Sequence, residues 1–187
     1  MKSEQEDSFQ YLFSLIKSRR AIRSFSDRPI KDSDIHDIVE AAIWAPSASN
    51  MNARYFIVVR NRERITKIKA FSPGMFSNPS AMIVLCTDKN KAYEVGGELG
   101  VERASLMDIA VSTQNILLAS WAKGIGTCPL ASFNAQAISK ILGLPEHIFP
   151  DLIVTMGYPS ELPETPRRPD VEEVMFLEQF GRKETQG

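Results

Sequence analysis

The sequence predicts a layered α+β fold in which helices outweigh strands. Two observations carry that prediction. Apolar residues recur at helical spacing through several separate segments, and short β-branched runs stand between those segments. A third observation places one helix at the centre: the stretch over 101–123 is apolar on more than one face and is punctuated by Ala and Ser.

The elements follow in order. Phe9, Leu12, Phe13, Leu15 and Ile16 make the stripe of a first helix. Ile35, Ile38, Val39, Ala42 and Ile43 make that of a second, with Ser33 as its expected cap and Pro46 closing it. The run RYFIVV (54–59) reads as a strand, and NRERITKIKAF (61–71) as a helix with a solvated basic face. SAMIVLCTD (80–88) is a second, buried strand. The long helix over 101–123 ends at Gly124 and Gly126. A helix over 134–144 precedes the last strand, DLIVTMGYP (151–159). From about residue 158 to residue 187 the chain is rich in proline and charge, with one apolar patch at 174–177. An arm laid over a partner subunit suits that composition. No repeat and no linker divides the chain, so one domain is expected over 1–187.

Composition excludes several functions. A net charge of -1 at pH 7 argues against general affinity for nucleic acid or anionic membrane. No apolar run approaches the roughly 18 residues of a spanning helix, and the polar, acidic beginning does not resemble a secretion signal. A cytoplasmic setting is therefore expected. Cys86 and Cys128 stand far apart and read as small buried hydrophobes rather than a disulfide framework. Neither His36 nor His147 stands at ligand spacing from a cysteine or carboxylate, which speaks against catalytic zinc.

Three clusters could carry chemistry. Arg19-Arg20-Ala21-Ile22-Arg23 sets three arginines within five residues. Such a field grips phosphate oxygens in bidentate forks, although cations closing a helix C-terminus would look the same. Pro46-Ser47-Ala48-Ser49-Asn50-Met51-Asn52 offers hydroxyls and amides that suit a heteroaromatic edge or a ribityl chain, or simply a polar loop. Gly124-Ile125-Gly126, followed by Thr127, Cys128, Pro129, Leu130, Ala131 and Ser132, lets backbone N–H groups approach a ligand. It follows no expected strand and does not match the dinucleotide fingerprint, and a helix stop explains it equally well. Arg167 and Arg168, between two prolines in the tail, add a fourth and weaker element.

Order and spacing join these pieces. Arg-Arg-x-x-Arg-x-Phe after a first helix, then Pro-Ser-x-x-Asn, a late Gly-x-Gly-x-x-Pro and arginines in the tail resemble the nitroreductase family, from about Ile16 to Arg168. The resemblance implies a nitroreductase-like fold, with a central mixed or antiparallel sheet flanked by helices, assembled as an intertwined homodimer with FMN at the subunit interface. It implies that Arg19, Arg20 and Arg23, with Ala21 among them, bind the FMN phosphate and pyrimidine side, joined by Arg167 or Arg168. Pro46, Ser47, Ala48, Asn50 and Asn52 would come from the other subunit. Pro129, Leu130, Ala131 and Ser132 would lie against the isoalloxazine, with a backbone N–H reaching N5. Ala21 stands where a serine is common, Asn52-Ala53-Arg54-Tyr55 replaces a frequent Gln-Pro-Trp run, and Ala131 takes a position acidic in some members.

The implied reaction is hydride transfer from NADH or NADPH through flavin N5 to a nitroaromatic, quinone or similar acceptor, in ping-pong order. The cofactor carries the chemistry, so the chain needs no catalytic triad, metal or nucleophile of its own. Other functions consistent with the sequence are a flavin-binding or flavin-sensing module without fast turnover, a reductive dehalogenase-like relative, and a helical interaction protein without cofactor.

Overall fold

The computed structural model of the chain describes residues 2–76 and 78–183, residues 2–4 in their backbone only. The final residues of the expected arm, 184–187, lie outside the described residues. In chain order the elements are α1 (Lys2–Ser18), α2 (Asp32–Ile43), a short 3-10 turn (Ala48–Asn50), β1 (Arg54–Val59), α3 (Arg62–Ala70) and β2 (Ala81–Asp88). There follow α4 (Lys89–Leu99), a π-helical turn (Gly100–Ala104), α5 (Ser105–Ala122), β3 (Gly126–Leu130), α6 (Ala135–Leu142), β4 (Ile148–Gly157) and α7 (Val171–Val174).

The strands form an antiparallel sheet in the order β1-β2-β4-β3. β2 lies inside it, and its residues from Ala81 to Thr87 are all buried, as expected for a strand covered on both faces. Alternation divides it between two cores. Ile83 and Leu85, with Val154 and Met156 of β4, face Ile35 and Ile38 of α2 and Ile109 and Ile116 of α5. Met82, Val84 and Cys86, with Ile153, face Ile65 and Ile68 of α3 and Ile138 of α6. The result is a sheet between two helical layers.

Four details correct the sequence reading. First, β3 was expected to be only a glycine-rich turn; Gly126 and Pro129 obscure a strand that pairs along β4 from Gly126 opposite Gly157 to Leu130 opposite Ile153. Pro129 fits because β3 is the last strand in the order, where a missing N–H is tolerated. Second, α4 was unexpected, since its KNKAYEVGGEL sequence has a weak apolar stripe and two adjacent glycines. Third, Ser33 does not cap α2; Lys31 stands at that position without a side-chain cap bond. Fourth, α5 packs inward through Ile109, Ser112, Thr113, Ile116 and Ser120, but leaves Leu106, Met107 and Val111 exposed. No helix of the described residues is long and apolar enough to cross a membrane.

Candidate functional site

After α1 the chain leaves the helix and runs beside β3. Ile22 N donates to Thr127 O at 2.9 Å, Ala21 bridges to Thr127 in parallel, and Phe25 bridges to Pro159. Two glycines admit this segment: a Cβ on Gly126 would come within 2.6 Å of Ile22, and one on Gly157 within 2.8 Å of Phe25. With Ile22 buried, the extended backbone turns its neighbours Ala21 and Arg23 to the opposite side.

On that side Arg19, Arg20, Ala21 and Arg23 meet the tail. Together with Pro163, Glu164, Pro166 and Arg168 they line a cavity of about 270 Å³. Arg167 is not among its walls. Arg20 serves partly as a strut, since its guanidinium donates to the carbonyls of Lys17 and Arg19 and to the Thr165 hydroxyl, tying the tail to the end of α1. Arg19, Arg23 and Arg168 have no carboxylate partner among the described residues. A concave wall of guanidiniums with one carboxylate, Glu164, has the charge to attract an anion.

Arg23 also reaches Cys128, which together with Phe25, Met75, Leu130 and Thr155 encloses a small recess. Burial raises the Cys128 pKa, and Arg23 and Arg19 only partly oppose that rise. Burial likewise pushes Cys86 up to about 12. Both side chains are free and buried, and burial works against their thiolate forms. Of the stretch from Pro129 to Ser132, Leu130 is buried, Ala131 and Ser132 are exposed, and the Ser132 hydroxyl closes on Gly74.

The residues from Pro46 to Asn52 form a separate loop. Ser49, Asn50 and Asn52 take positive φ values of 48°, 53° and 46°, a conformation that costs non-glycine residues energy, least for Asn. Asp108 of α5 holds the loop by accepting from the Ser47 hydroxyl and from Ala48 N at 3.0 Å. Ser47 Oγ in turn accepts from Asn52 N at 2.9 Å, and the Asn52 amide donates to Asn50 O and Oδ1.

Sheet register sets how far apart the two clusters lie along the strand direction. Thr127 is opposite Met156, and Met156 opposite Ala81, whereas Arg54, just past the loop, is opposite Thr87. The six steps from Ala81 to Thr87 span about 20 Å at a strand rise of about 3.4 Å. The helix gives a similar figure. From Asp108 to the end of α5, beside the start of β3, is about 21 Å at about 1.5 Å per residue. Within one chain, then, the arginine wall and the 46–52 loop stand at opposite ends of the sheet.

Sequence reasoning missed the residues that seat the loop, Asp108, Arg54 and Ser112, because nothing local distinguishes them from an ordinary helix or strand polar residue. It also missed the proximity of His36, Asp37 and Glu40, whose ligand atoms lie within 4.8 Å of one another. All three are exposed, and Asp37 is held below the usual carboxylate range by its hydrogen bond to Lys123, so the group is a solvated helix face.

Comparison with known proteins identifies the family. The model of the nitroreductase family matches residues 16–81 and 67–158. The chain belongs to the nitroreductase family. A relative in this family from Archaeoglobus fulgidus, provisionally named NADH dehydrogenase/NAD(P)H nitroreductase, is 40% identical over 153 residues, covering 79% of this chain and 84% of its own. A Bacillus subtilis protein named FMN reductase, with NAD(P)H in its name, is 26% identical over 161 residues, covering 78% of this chain and 65% of its own. Among solved structures, nitroreductase A of Vibrio parahaemolyticus superposes with a TM-score of 0.82 at 22% identity, covering 92% of this chain and 78% of the other. That likeness shows that this nitroreductase-family chain has the family's fold.

Proposed function

We propose that the chain is an NAD(P)H-dependent flavin oxidoreductase that binds FMN and works as a homodimer. The observation that carries the reading is the cavity where Arg19, Arg20 and Arg23 meet Arg168 of the tail, four guanidiniums drawn from two distant parts of the sequence. An FMN phosphate is dianionic, and a wall of arginines offsets that charge with forked hydrogen bonds. The family membership and the FMN reductase relative point the same way.

The donor set fits the cofactor beyond its phosphate. Ala21 and Arg23 lie on the ligand side of the extended segment, and Ala131 and Ser132 are exposed just past β3. On this reading Pro129, Leu130, Ala131 and Ser132 would hold the flavin ring, with a backbone N–H of this stretch as the donor to N5. Bound there, FMN would supply the chemistry of hydride transfer between NADH or NADPH and a nitroaromatic, quinone or similar acceptor, in the ping-pong order proposed for the chain. The chain's own part is to bind, orient and neutralise. No side chain is assigned a proton-transfer or nucleophilic role.

The separation of about 20 Å between the two clusters supports a shared site. On this reading Pro46, Ser47, Ala48, Asn50 and Asn52 are assigned to the site on the partner. Exposed apolar residues fit such a dimer: Phe9, Tyr11 and Leu12 on α1 are 55%, 64% and 48% exposed, and Met107 on α5 is 61% exposed. The domain is taken as residues 1–187, with residues 158–187 as an arm.

The test is an absorbance spectrum of freshly purified protein, then anaerobic addition of NADH or NADPH. Bands near about 450 nm that bleach are expected of bound flavin receiving a hydride. Bands that persist would leave a flavin-binding module. Protein that stays colourless after FMN is supplied would remove the cofactor assignment altogether.

A further inference from the structure

The 46–52 loop owes its shape to a buried cation that no part of the proposed chemistry uses. Arg54 opens β1 and is only 9% exposed. One nitrogen of its guanidinium donates to Pro46 O at 3.0 Å, Asp108 O at 3.3 Å and Ser112 Oγ at 2.7 Å. The other donates to Ala45 O at 2.7 Å. Arg54 thus grips the two residues immediately before Ser47, while the Asp108 carboxylate grips Ser47 and Ala48 themselves.

Energetics make this arrangement informative. Burial lowers the Arg54 pKa, opposed by the nearby Asp108 charge, so the guanidinium sits where desolvation works against it. A buried charge in such surroundings is a poor source of stability compared with an apolar side chain of similar volume. What it does provide is direction, because a planar fork satisfies acceptors only in one arrangement. The loop it holds contains Ser49, Asn50 and Asn52 in left-handed conformation, and it keeps Ala48, Ser49, Asn50 and Asn52 at the surface. The structure therefore fixes a strained, outward-facing polar loop from beneath, using groups that leave its outer face free to meet something else.

We propose that Arg54 is a positioning residue for the flavin site, and that it acts across the subunit boundary: it shapes the loop that completes the site whose arginines belong to the partner. This rests on the FMN reading above. Lysine keeps the charge but cannot reproduce the fork, so Arg54→Lys isolates geometry from electrostatics.

The experiment titrates FMN into flavin-stripped protein for the wild type, Arg54→Lys and Ser112→Ala. Arg54→Lys is expected to raise the FMN Kd by about tenfold or more, and Ser112→Ala, which removes one acceptor, by about threefold. Mixed dimers, isolated with two affinity tags, then pair an Arg54→Lys chain with an Arg19→Ala/Arg23→Ala chain. One site per mixed dimer then combines intact arginines with an intact loop, and it is expected to bind FMN with wild-type affinity. A role in folding alone would not produce that recovery. Where Arg54→Lys does not fold, Ser112→Ala takes its place in the mixed dimer, with the intact site bound at wild-type strength and the other far weaker. Wild-type protein that binds no FMN would overturn the proposed function itself. Wild-type binding with both variants unimpaired would overturn the positioning role alone, and impaired variants without a recovered site would overturn action across the boundary.

Discussion

Arg167 and Arg168 are adjacent and chemically identical, yet the fold uses them differently. Only Arg168 lines the cavity with Arg19, Arg20 and Arg23. Arg168→Ala should therefore weaken FMN binding by about tenfold or more, the scale of a lost charge-assisted hydrogen bond to phosphate, while Arg167→Ala leaves it nearly unchanged. Isothermal titration of the stripped protein with FMN decides this, and equal losses in the two variants would remove the assignment. The arginines were legible in the sequence because unusual charge density is visible in any conformation. Arg54 was not, because a single arginine at the start of a strand reads as exposed. Only the fold reveals that its side chain points under a loop and finds carbonyls there. Asp108 was hidden for a related reason, its acceptors' partners lying about sixty positions away in sequence.

At the scale of the element, apolar periodicity located α1, α2, α3, α5 and α6, and buried β-branched runs located β1, β2 and β4. β3 escaped because edge strands tolerate the Gly and Pro that ordinarily mark turns. β4 carries an irregularity of its own. Between Leu152 opposite Leu85 and Pro150 opposite Cys86 the register slips, and Asp151 is the unpaired residue of this bulge. Its Oδ2 is buried without a well-aligned hydrogen bond, although Thr87 lies beside it. Burial raises the Asp151 pKa, with Thr87 and then Lys89 opposing. A carboxyl whose folded pKa is raised holds its proton in the native state after the unfolded chain has released it. The stability it contributes is thus full below the ordinary carboxylate pKa of about 3.9 and is lost as pH rises through the raised folded value. Asp151→Asn should match the wild type near pH 4 and become increasingly more stable than it toward neutrality. Urea denaturation across that window measures the difference. A gap that shrinks with rising pH would mean the bulge stabilises the ionised carboxylate instead.

At the scale of the whole molecule, the family motif in the sequence anticipated the fold, and the match over residues 16–158 bears that out. The family resemblance also implied a shared site, and the proposal of one draws on the sheet register. The arginine wall stands at one end of the sheet and the polar loop at the other, the arrangement the proposed shared site calls for. Helix α1 is the element most in need of a partner. Phe9 stacks on Phe13 with ring centroids 5.4 Å apart, but Phe9, Leu12 and Ile16 remain 55%, 48% and 45% exposed. Such a stripe costs solubility unless covered, and a second copy of the chain would cover it. Replacing Phe9 and Leu12 with Asp places charge on that stripe while leaving Arg19 and the rest of the proposed site in sequence. The double variant should run as a monomer by size exclusion with light scattering, and it should lose flavin absorbance in the same fractions. A monomer that keeps FMN at full affinity would show the site to be complete within one chain, and the 46–52 loop would then need another role. A dimer that persists with flavin bound would move the interface away from α1, toward the exposed Leu106, Met107 and Val111 of α5.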